Sequence, residues 1–582
     1  MDLEASDPGA ELRAARADLN DATTTLSGIG ARALRLVPIV RQNLDSLEVT
    51  ARSLIPVLSA AERMHSVLEE MTEEGLIADG AVDIGAIDEL GTALDDVVAA
   101  IESADQALDR KLSGWLLPPI WTGIADLATT VDDFTGTARR GAALIDRLPA
   151  MLGFDTNRTY LVILMNSAEL RGAGGIPSGL GTIRFVDGQI HLGRFHYYAT
   201  IAGRSPQETV DAPPEFRRRF GRYGADTPLW INVTMSPDIP DVARVASNLY
   251  QLATGTATDG AIIVDPRGLA ALVEPTADIE LAGQTMAAGN LPDYVFSGAY
   301  QDFSDQTARR RALVEVGRAV FTAALEGSVA SPERLRAAAA ATAGGHMRFV
   351  SFAEDEARAL ASVGASGDLE SPVGDAVLVT VQNLGADKLD FWARRSIEHH
   401  CQVPEPPDAG RCHTKVTLRN AAPPGLPAYV DPSNRRVMKR FVEIYIPEQS
   451  TLEGVDLDGN RVAIRSEIQA GFEAVGATVD LAANTETTLT AVYSLPPDDG
   501  YELIVIPQPL AVDGRIDISV ALPEDWVATG PGGHAGGVDL HGTFEEGLRV
   551  EAGPPHRSGI GAAWEWFSRL LRRPVFELDA GP

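Results

Sequence analysis

The chain has 582 residues, 45% of them hydrophobic, with 81 acidic against 49 basic side chains and a formal net charge of -32. That length and apolar content fill several cores, so two to four domains are expected and a disordered chain is excluded. So strong an acidic balance argues against a nucleic-acid-binding surface, which would show a basic footprint. No run reaches the roughly 18 to 20 apolar residues of a membrane helix, and Met1-Asp-Leu-Glu-Ala-Ser6 has no signal-peptide pattern. As given, the chain reads as soluble, and an anchor lost from upstream of such a start is compatible with it.

Residues 1–150 carry helical periodicity. Ile87, Leu90, Leu94, Val97, Ile101, Ala104 and Leu108 recur at three and four, as do Ile124, Leu127, Val131, Phe134 and Ala138. Two further stripes run from Leu12 to Ile29 and from Val40 to Ala61, and together they predict an antiparallel helical bundle. Pro38 and Pro56 are expected to break or kink their helices, and Pro118-Pro119 marks another turn. A bundle so regular, without clustered histidines or paired carboxylates on one apolar face, suits a stalk, a spacer or an oligomerisation element more than a catalytic centre.

Residues 151–365 read as an α/β domain. The apolar strand Tyr160–Met165 leads through Asn166, Glu169 and Arg171 into Gly172, Gly174 and Gly175, and then into a hairpin turned at Asp187-Gly188. Glycine allows close backbone approach, so this loop suits an anionic group or, equally, a tight strand connection. It is no dinucleotide fingerprint, because strand rather than helix follows it, and no Gly-Lys-Ser/Thr ending marks a P-loop. Gly260–Val264 is a buried strand, Asp241–Leu252 a helix, and Asp302-Phe-Ser-Asp305 opens a helix through Arg309 and Arg310 with acids at its start. Helical sequence runs from Pro332 to Val363.

Residues 374–555 carry short strands with Pro/Gly turns, among them Ala376–Gln382, Thr414–Arg419, Arg440–Ile446, Thr487–Tyr493 and Tyr501–Ile506, and predict a β-sandwich. Cys401 and Cys412 flank a turn-rich stretch, which fits a disulfide and hence an oxidising, extracytoplasmic compartment. His399, His400 and His413 beside them leave a Cys/His zinc site open, and buried free thiols are the third reading. In the tail, residues 556–582, the Trp564–Arg573 segment pairs aromatics with arginines, as interfacial helices and helices packed on a sandwich both do. No Gly-x-Ser-x-Gly elbow occurs, so Ser-His-Asp hydrolysis has no local signature. Glycosidase carboxylates leave none in any case.

The set Asn166, Glu169-Leu-Arg171 and Gly174-Gly175, Val264-Asp265, Asp302–Asp305 with Arg309, Asn383–Asp390 and Asn420–Pro423 resembles the bacterial family called domain of unknown function 4012. Members typically carry an N-terminal membrane anchor, so the resemblance implies an extracytoplasmic, tethered protein. The core is also distantly similar to the LytR-CpsA-Psr enzymes, which move glycopolymers from a polyprenyl-pyrophosphate carrier to the cell wall. That likeness implies a multidomain α+β chain with a central LytR-CpsA-Psr-like domain, a lipid-linked glycan and a cell-wall polymer as partners, and Mg2+ as the cofactor of a transferase.

Such chemistry needs cations on phosphoryl oxygens, for which the planar guanidinium is suited. Arg171 and Arg309 are the catalytic candidates, with Asn166, Glu169, Gly174, Gly175 and Arg310 around the substrate. Where the related enzymes place an acidic metal ligand, this chain has Gly174–Ser178, which leaves Asp302 or Asp305 for that role. The alternative is an envelope factor that binds a glycan or lipid carrier without turning it over.

Overall fold

The computed structural model of the chain describes residues 8–78, 80–112, 116–273, 278–281, 284–298, 305–326, 332–370, 372–544 and 547–553. Asp302 and the Trp564–Arg573 segment lie outside the described residues. The protein is mixed α/β, with helices in its N-terminal part and several sheets towards its C-terminal part. It divides into two compact units, one formed by residues up to 76 and 83–149, the other by residues 77–82 and 150–555.

In the first unit the long helices are Pro8–Ser27, Pro38–Glu74, Ile84–Leu112 and Pro118–Ile145, with the short helix Ile29–Leu34 between the first two. The apolar stripes close on one another: Leu54, Ile101, Leu108, Leu116, Ile124, Leu127 and Val131 share a core with Leu19, Val57 and Val97. Pro38 opens its helix, where a missing N–H costs nothing. Pro56, expected to interrupt, lies inside a helix of 37 residues that continues through it, about 55 Å long at the usual rise. Buried Leu54 and Ala60 hold both halves to the bundle core, and that packing outweighs an interior-proline penalty of about 3 kcal/mol.

The second unit begins with a sheet in the order Ile77–Ala78, Ala81–Val82, Gln189–Leu192, Ile176–Val186, Arg158–Asn166, Gly260–Val264, Met347–Ser351. Arg158–Asn166 runs parallel to Gly260–Val264, pairing Tyr160 with Gly260, while Ile176–Val186 and Met347–Ser351 lie antiparallel to their neighbours. Leu161, Ile163 and Met165 face Val242, Val245 and Leu249 of the helix Ile239–Thr254. Val162 and Leu164 share the other face with Val314, Val316 and Val320 of the helix Gln306–Glu326. Burial on both faces is why the strand reads as one apolar run instead of alternating. At the hairpin, Asp187 and Gly188 both take positive φ, 49° and 74°, as a two-residue turn matching strand twist requires.

The helix expected from Pro332 to Val363 is instead helix Pro332–Ala343, strand Met347–Ser351 and helix Glu354–Ser362. Gly344-Gly345 ends the first piece, with Gly345 at φ 80°, and the strand then gains a full edge pairing on Gly260–Val264. Beyond it a seven-stranded and an eight-stranded sheet stack face to face. Val377, Val379, Val381, Val442 and Leu503 of one sheet meet Ile397, Val416, Tyr493 and Ile518 of the other. The first sandwich strand, Asp375–Asn383, is buried along its length, because Ala376 and Leu378 pack outwards on Tyr445, Phe472 and Leu369. No helix among the described residues is long and apolar enough to cross a membrane.

Candidate functional site

The loop after Arg158–Asn166 is tightly packed. A Cβ on Gly172 would come within 2.1 Å of the Met235 carbonyl oxygen, one on Gly175 within 2.4 Å of the Asn166 carbonyl oxygen, and one on Gly174 within 3.0 Å of Pro509. Gly174 has φ 113°, open to glycine alone. The Thr234 hydroxyl donates to the Gly175 carbonyl at 2.7 Å. Asn166 accepts from the Ala168 N–H at 3.1 Å and donates to Glu169 at 3.4 Å. Gly172 and Gly175 therefore serve backbone-to-backbone packing and Gly174 packing against the Pro509 ring, and the space a phosphate would occupy against them is filled by protein.

Arg171 is committed to the same packing. Its Nε donates to the Ile231 carbonyl at 3.0 Å, and its Nη1 to the carbonyls of Leu170 at 3.0 Å and Asn383 at 2.6 Å. Burial pushes its pKa down to about 10, with Asp390 acting in the opposite direction. On the sandwich side of this junction, Asp390 accepts from the Leu170 N–H at 2.9 Å and from Asn383 Nδ2 at 2.7 Å. Arg440 then binds Asp390 through Nε at 2.5 Å and Asp387 through Nη2 at 2.7 Å, all three side chains buried. Gln508 closes the junction by donating to the Arg171 carbonyl at 2.8 Å.

Beside this junction lies a cluster of cations and aromatic rings. Lys388, 7% exposed, contacts the Glu169 carboxylate and lies 4.9 Å from the centre of the Tyr429 ring. Arg309, 4% exposed, stacks on the same ring at 3.7 Å. Arg310 lies 4.7 Å from the Tyr197 ring, itself 4.5 Å from Tyr198. Burial raises the Tyr197 hydroxyl far above its ordinary value; Arg310 works against that shift and Tyr429 with it. Burial also lowers the Lys388 ammonium to about 7, and the adjoining Glu169 carboxylate acts in the opposite direction.

Of the residues singled out in the sequence, Glu169, Arg309 and Arg310 thus gather around Tyr429 and Tyr197, whereas Arg171 is engaged with carbonyl groups. Asp305 caps its helix, accepting from the Ala308 N–H at 2.7 Å. Lys388, Tyr429 and Tyr197 carried no motif; position 388 lies in the Asn383–Asp390 segment already noted, which was the available signal.

Two other polar clusters are structural. Asp265 lies between Ser167, at 3.2 Å, and His346 Nδ1, at 2.7 Å, and also caps a helix through the N–H groups of Arg267 and Gly268. With the carboxylate rather than the imidazole in the middle, the serine hydroxyl meets Asp265 and not His346, which is not the order of a Ser-His-Asp triad. In the sandwich, donor atoms of Asp375, His399, Cys401 and Cys412 lie within 4.8 Å of one another. Cys401 and Cys412, opposite each other across paired strands, form a disulfide, which decides between the three readings of these cysteines and removes both thiolates as metal ligands. Asp375 accepts instead from His399 Nε2 at 3.0 Å and from the hydroxyls of Tyr493 and Tyr501 at 2.8 and 2.9 Å.

A shallow apolar recess of about 500 Å³ is lined by Met286, Asn290, Asp293, Tyr294, Gly298 and Phe391. The enclosed space touching Leu170, Asp390 and Arg440 is about 20 Å³, the size for a water and far below a lipid chain.

No curated protein matches the chain. Among solved structures, an M1 zinc metallopeptidase from Deinococcus radiodurans is 12% identical over 28% of this chain and 42% of its own, with a TM-score of 0.18. The leukotriene A4 hydrolase of Saccharomyces cerevisiae is 10% identical over 28% of this chain and 29% of its own, also at 0.18. This chain thus spans less than half of either protein, and likeness at that level carries no argument. Residues 155–300, about a quarter of the chain, match the family described as Protein of unknown function (DUF4012).

Proposed function

We propose that the second unit is an extracytoplasmic cell-envelope factor that holds the diphosphate of a polyprenyl-linked glycopolymer, through a core akin to the LytR-CpsA-Psr enzymes, and binds that carrier without turning it over. The observation that carries this reading is the convergence of Arg309, Arg310 and Lys388 on Tyr429 and Tyr197 beside Glu169. Guanidinium groups held against aromatic faces keep a fixed orientation and a permanent charge, which suits bidentate grip of phosphoryl oxygens. The Cys401–Cys412 disulfide supports an oxidising compartment.

Binding over transfer to a cell-wall polymer is supported by Asp305, one of the two expected Mg2+ ligands, which uses one carboxylate oxygen to cap its helix. The first unit, a bundle without clustered catalytic side chains among its described residues, suits docking of an envelope protein.

The test is calorimetric titration of the full chain with a detergent-solubilised polyprenyl diphosphate, with and without Mg2+. Saturable binding that the Arg309→Gln and Arg310→Gln variants each weaken at least about tenfold is expected, since a charge-assisted contact is worth about 1.5–3 kcal/mol. Undiminished binding in both variants, or none in the wild type, refutes the reading. Release of lipid phosphate when Mg2+ and an acceptor glycan are added would replace it with the transferase.

A further inference from the structure

We infer that one end of the helical bundle is a docking surface for an anionic lipid membrane. The connection between helices Pro8–Ser27 and Pro38–Glu74 exposes large apolar side chains that no described residue of the bundle covers: Ile29 is 87% exposed, Leu36 86%, Leu34 56% and Val37 51%. The bundle's helices alternate in direction, so the turn before Pro118–Ile145 lies at the same end. There Leu117, 42% exposed, donates its N–H to Asn43 at 2.9 Å. Scattered single apolar residues on a surface are ordinary; five at one end of one bundle mark an interaction site.

Local charge selects the occupant. Residues 22–44 contain no Asp or Glu in a chain that has 81 of them, and they contain Arg32, Arg35 and Arg41. Arg35 is neutralised by Asp45 and Glu48. Arg32 donates from Nε to the Ser27 carbonyl at 3.1 Å, and Arg41 meets Asp45 at a solvent-exposed 3.6 Å.

A second copy of the chain docking here would bring these arginines against one another, whereas an anionic lipid headgroup complements them and its acyl boundary takes the five aliphatic side chains. The net charge of -32 does not prevent this. Beyond a Debye length of about 8 Å at physiological salt the remaining acids are largely screened, so the composition of the contacting end decides.

The experiment is cosedimentation of the full chain with phosphatidylglycerol/phosphatidylethanolamine vesicles and, separately, with phosphatidylcholine vesicles. Binding to the anionic vesicles only, falling about fivefold for each of Arg32→Gln and Arg41→Gln, is expected. The double variant Ile29→Ser with Leu36→Ser should lose it altogether. Those two side chains are exposed, so an unchanged circular-dichroism melt separates loss of docking from loss of fold. Undiminished binding by the double variant, or no binding to anionic vesicles, overturns the inference. So does a dimer in sedimentation velocity that the double variant dissolves, because a second copy would then cover this end. Diphosphate binding by the other unit is measured independently, and either result can fail without the other.

Discussion

Replacing Arg440 by alanine tests whether the loop after Arg158–Asn166 is held by a buried ion triad. In the folded chain Arg440, Asp387 and Asp390 are all nearly inaccessible. Removing the guanidinium leaves Asp390 with the Leu170 N–H and Asn383 Nδ2, and leaves Asp387 with the Leu389 N–H at 3.0 Å and Asn383 Nδ2 at 3.3 Å. Two like charges then share one desolvated pocket. Breaking a buried pair in this way costs about 3–5 kcal/mol.

Because Leu170 donates directly into the triad, the loss appears locally as faster amide exchange across residues 166–175, by about two to nearly four orders of magnitude if opening carries the whole cost. Burial already raises the Asp390 pKa, with Arg440 opposing that shift. Without Arg440 the folded value rises further, so protonation stabilises the folded variant and the defect shrinks as pH falls from neutral towards that value. Hydrogen-exchange mass spectrometry and urea unfolding at two pH values measure both effects. A change within about 0.5 kcal/mol, the level of an ordinary surface substitution, with no pH dependence, would refute the reasoning.

Burial works to raise the Asp375 pKa, but His399, Tyr493 and Tyr501 outweigh it and hold the carboxyl below its usual value of 3.8. Its stabilisation is complete above that value and is lost as pH falls through the folded one, so Asp375→Asn should cost about 3 kcal/mol at neutral pH and flatten the acid limb of a pH-dependent melt. Reducing Cys401–Cys412, which closes a loop across a separation of 11 residues, should lower urea stability by about 3 kcal/mol. Lys388, with a folded value near 7 below the unfolded one, should make stability rise with pH between about 7 and 10. Lys388→Met should abolish that slope, and equal slopes would mean that Glu169 keeps the ammonium fully charged.

The regular elements were legible where one pattern served one purpose. An unbroken apolar run announced the two-sided strand Arg158–Asn166, Asp187-Gly188 announced its hairpin, and three-four periodicity announced the bundle. Met347–Ser351 was missed because it is short and polar at Arg348, and its identity as a strand rests on pairing with Gly260–Val264. The arginines were legible as charges but not as bonds. A guanidinium forks onto a phosphate or onto three carbonyls with equal ease, and Arg171 takes the carbonyls of Leu170, Ile231 and Asn383. Nothing local tells that Lys388 and Tyr429 approach Arg309 and Glu169, since those contacts arise only when the α/β sheet and the sandwich come together.

That meeting also fixes what can be expected of the matched residues 155–300 by themselves. Cut away from the sandwich, the Leu170 N–H loses Asp390, Arg171 loses the Asn383 carbonyl, the Met235 carbonyl loses Gln382, and the buried Arg219 loses Glu443 and Gln469. Each buried group left without its partner costs about 1–3 kcal/mol, more where it is charged. Four of them approach the 5–15 kcal/mol that is the whole stability of a typical domain. Lys388 and Tyr429 leave with the sandwich as well, and Arg309 and Arg310 lie beyond residue 300, so of the cation and ring cluster the fragment keeps Tyr197. The α/β sheet and the sandwich are therefore one structural unit, and failure of an excised 155–300 fragment to bind a diphosphate would say nothing about the chain that carries both.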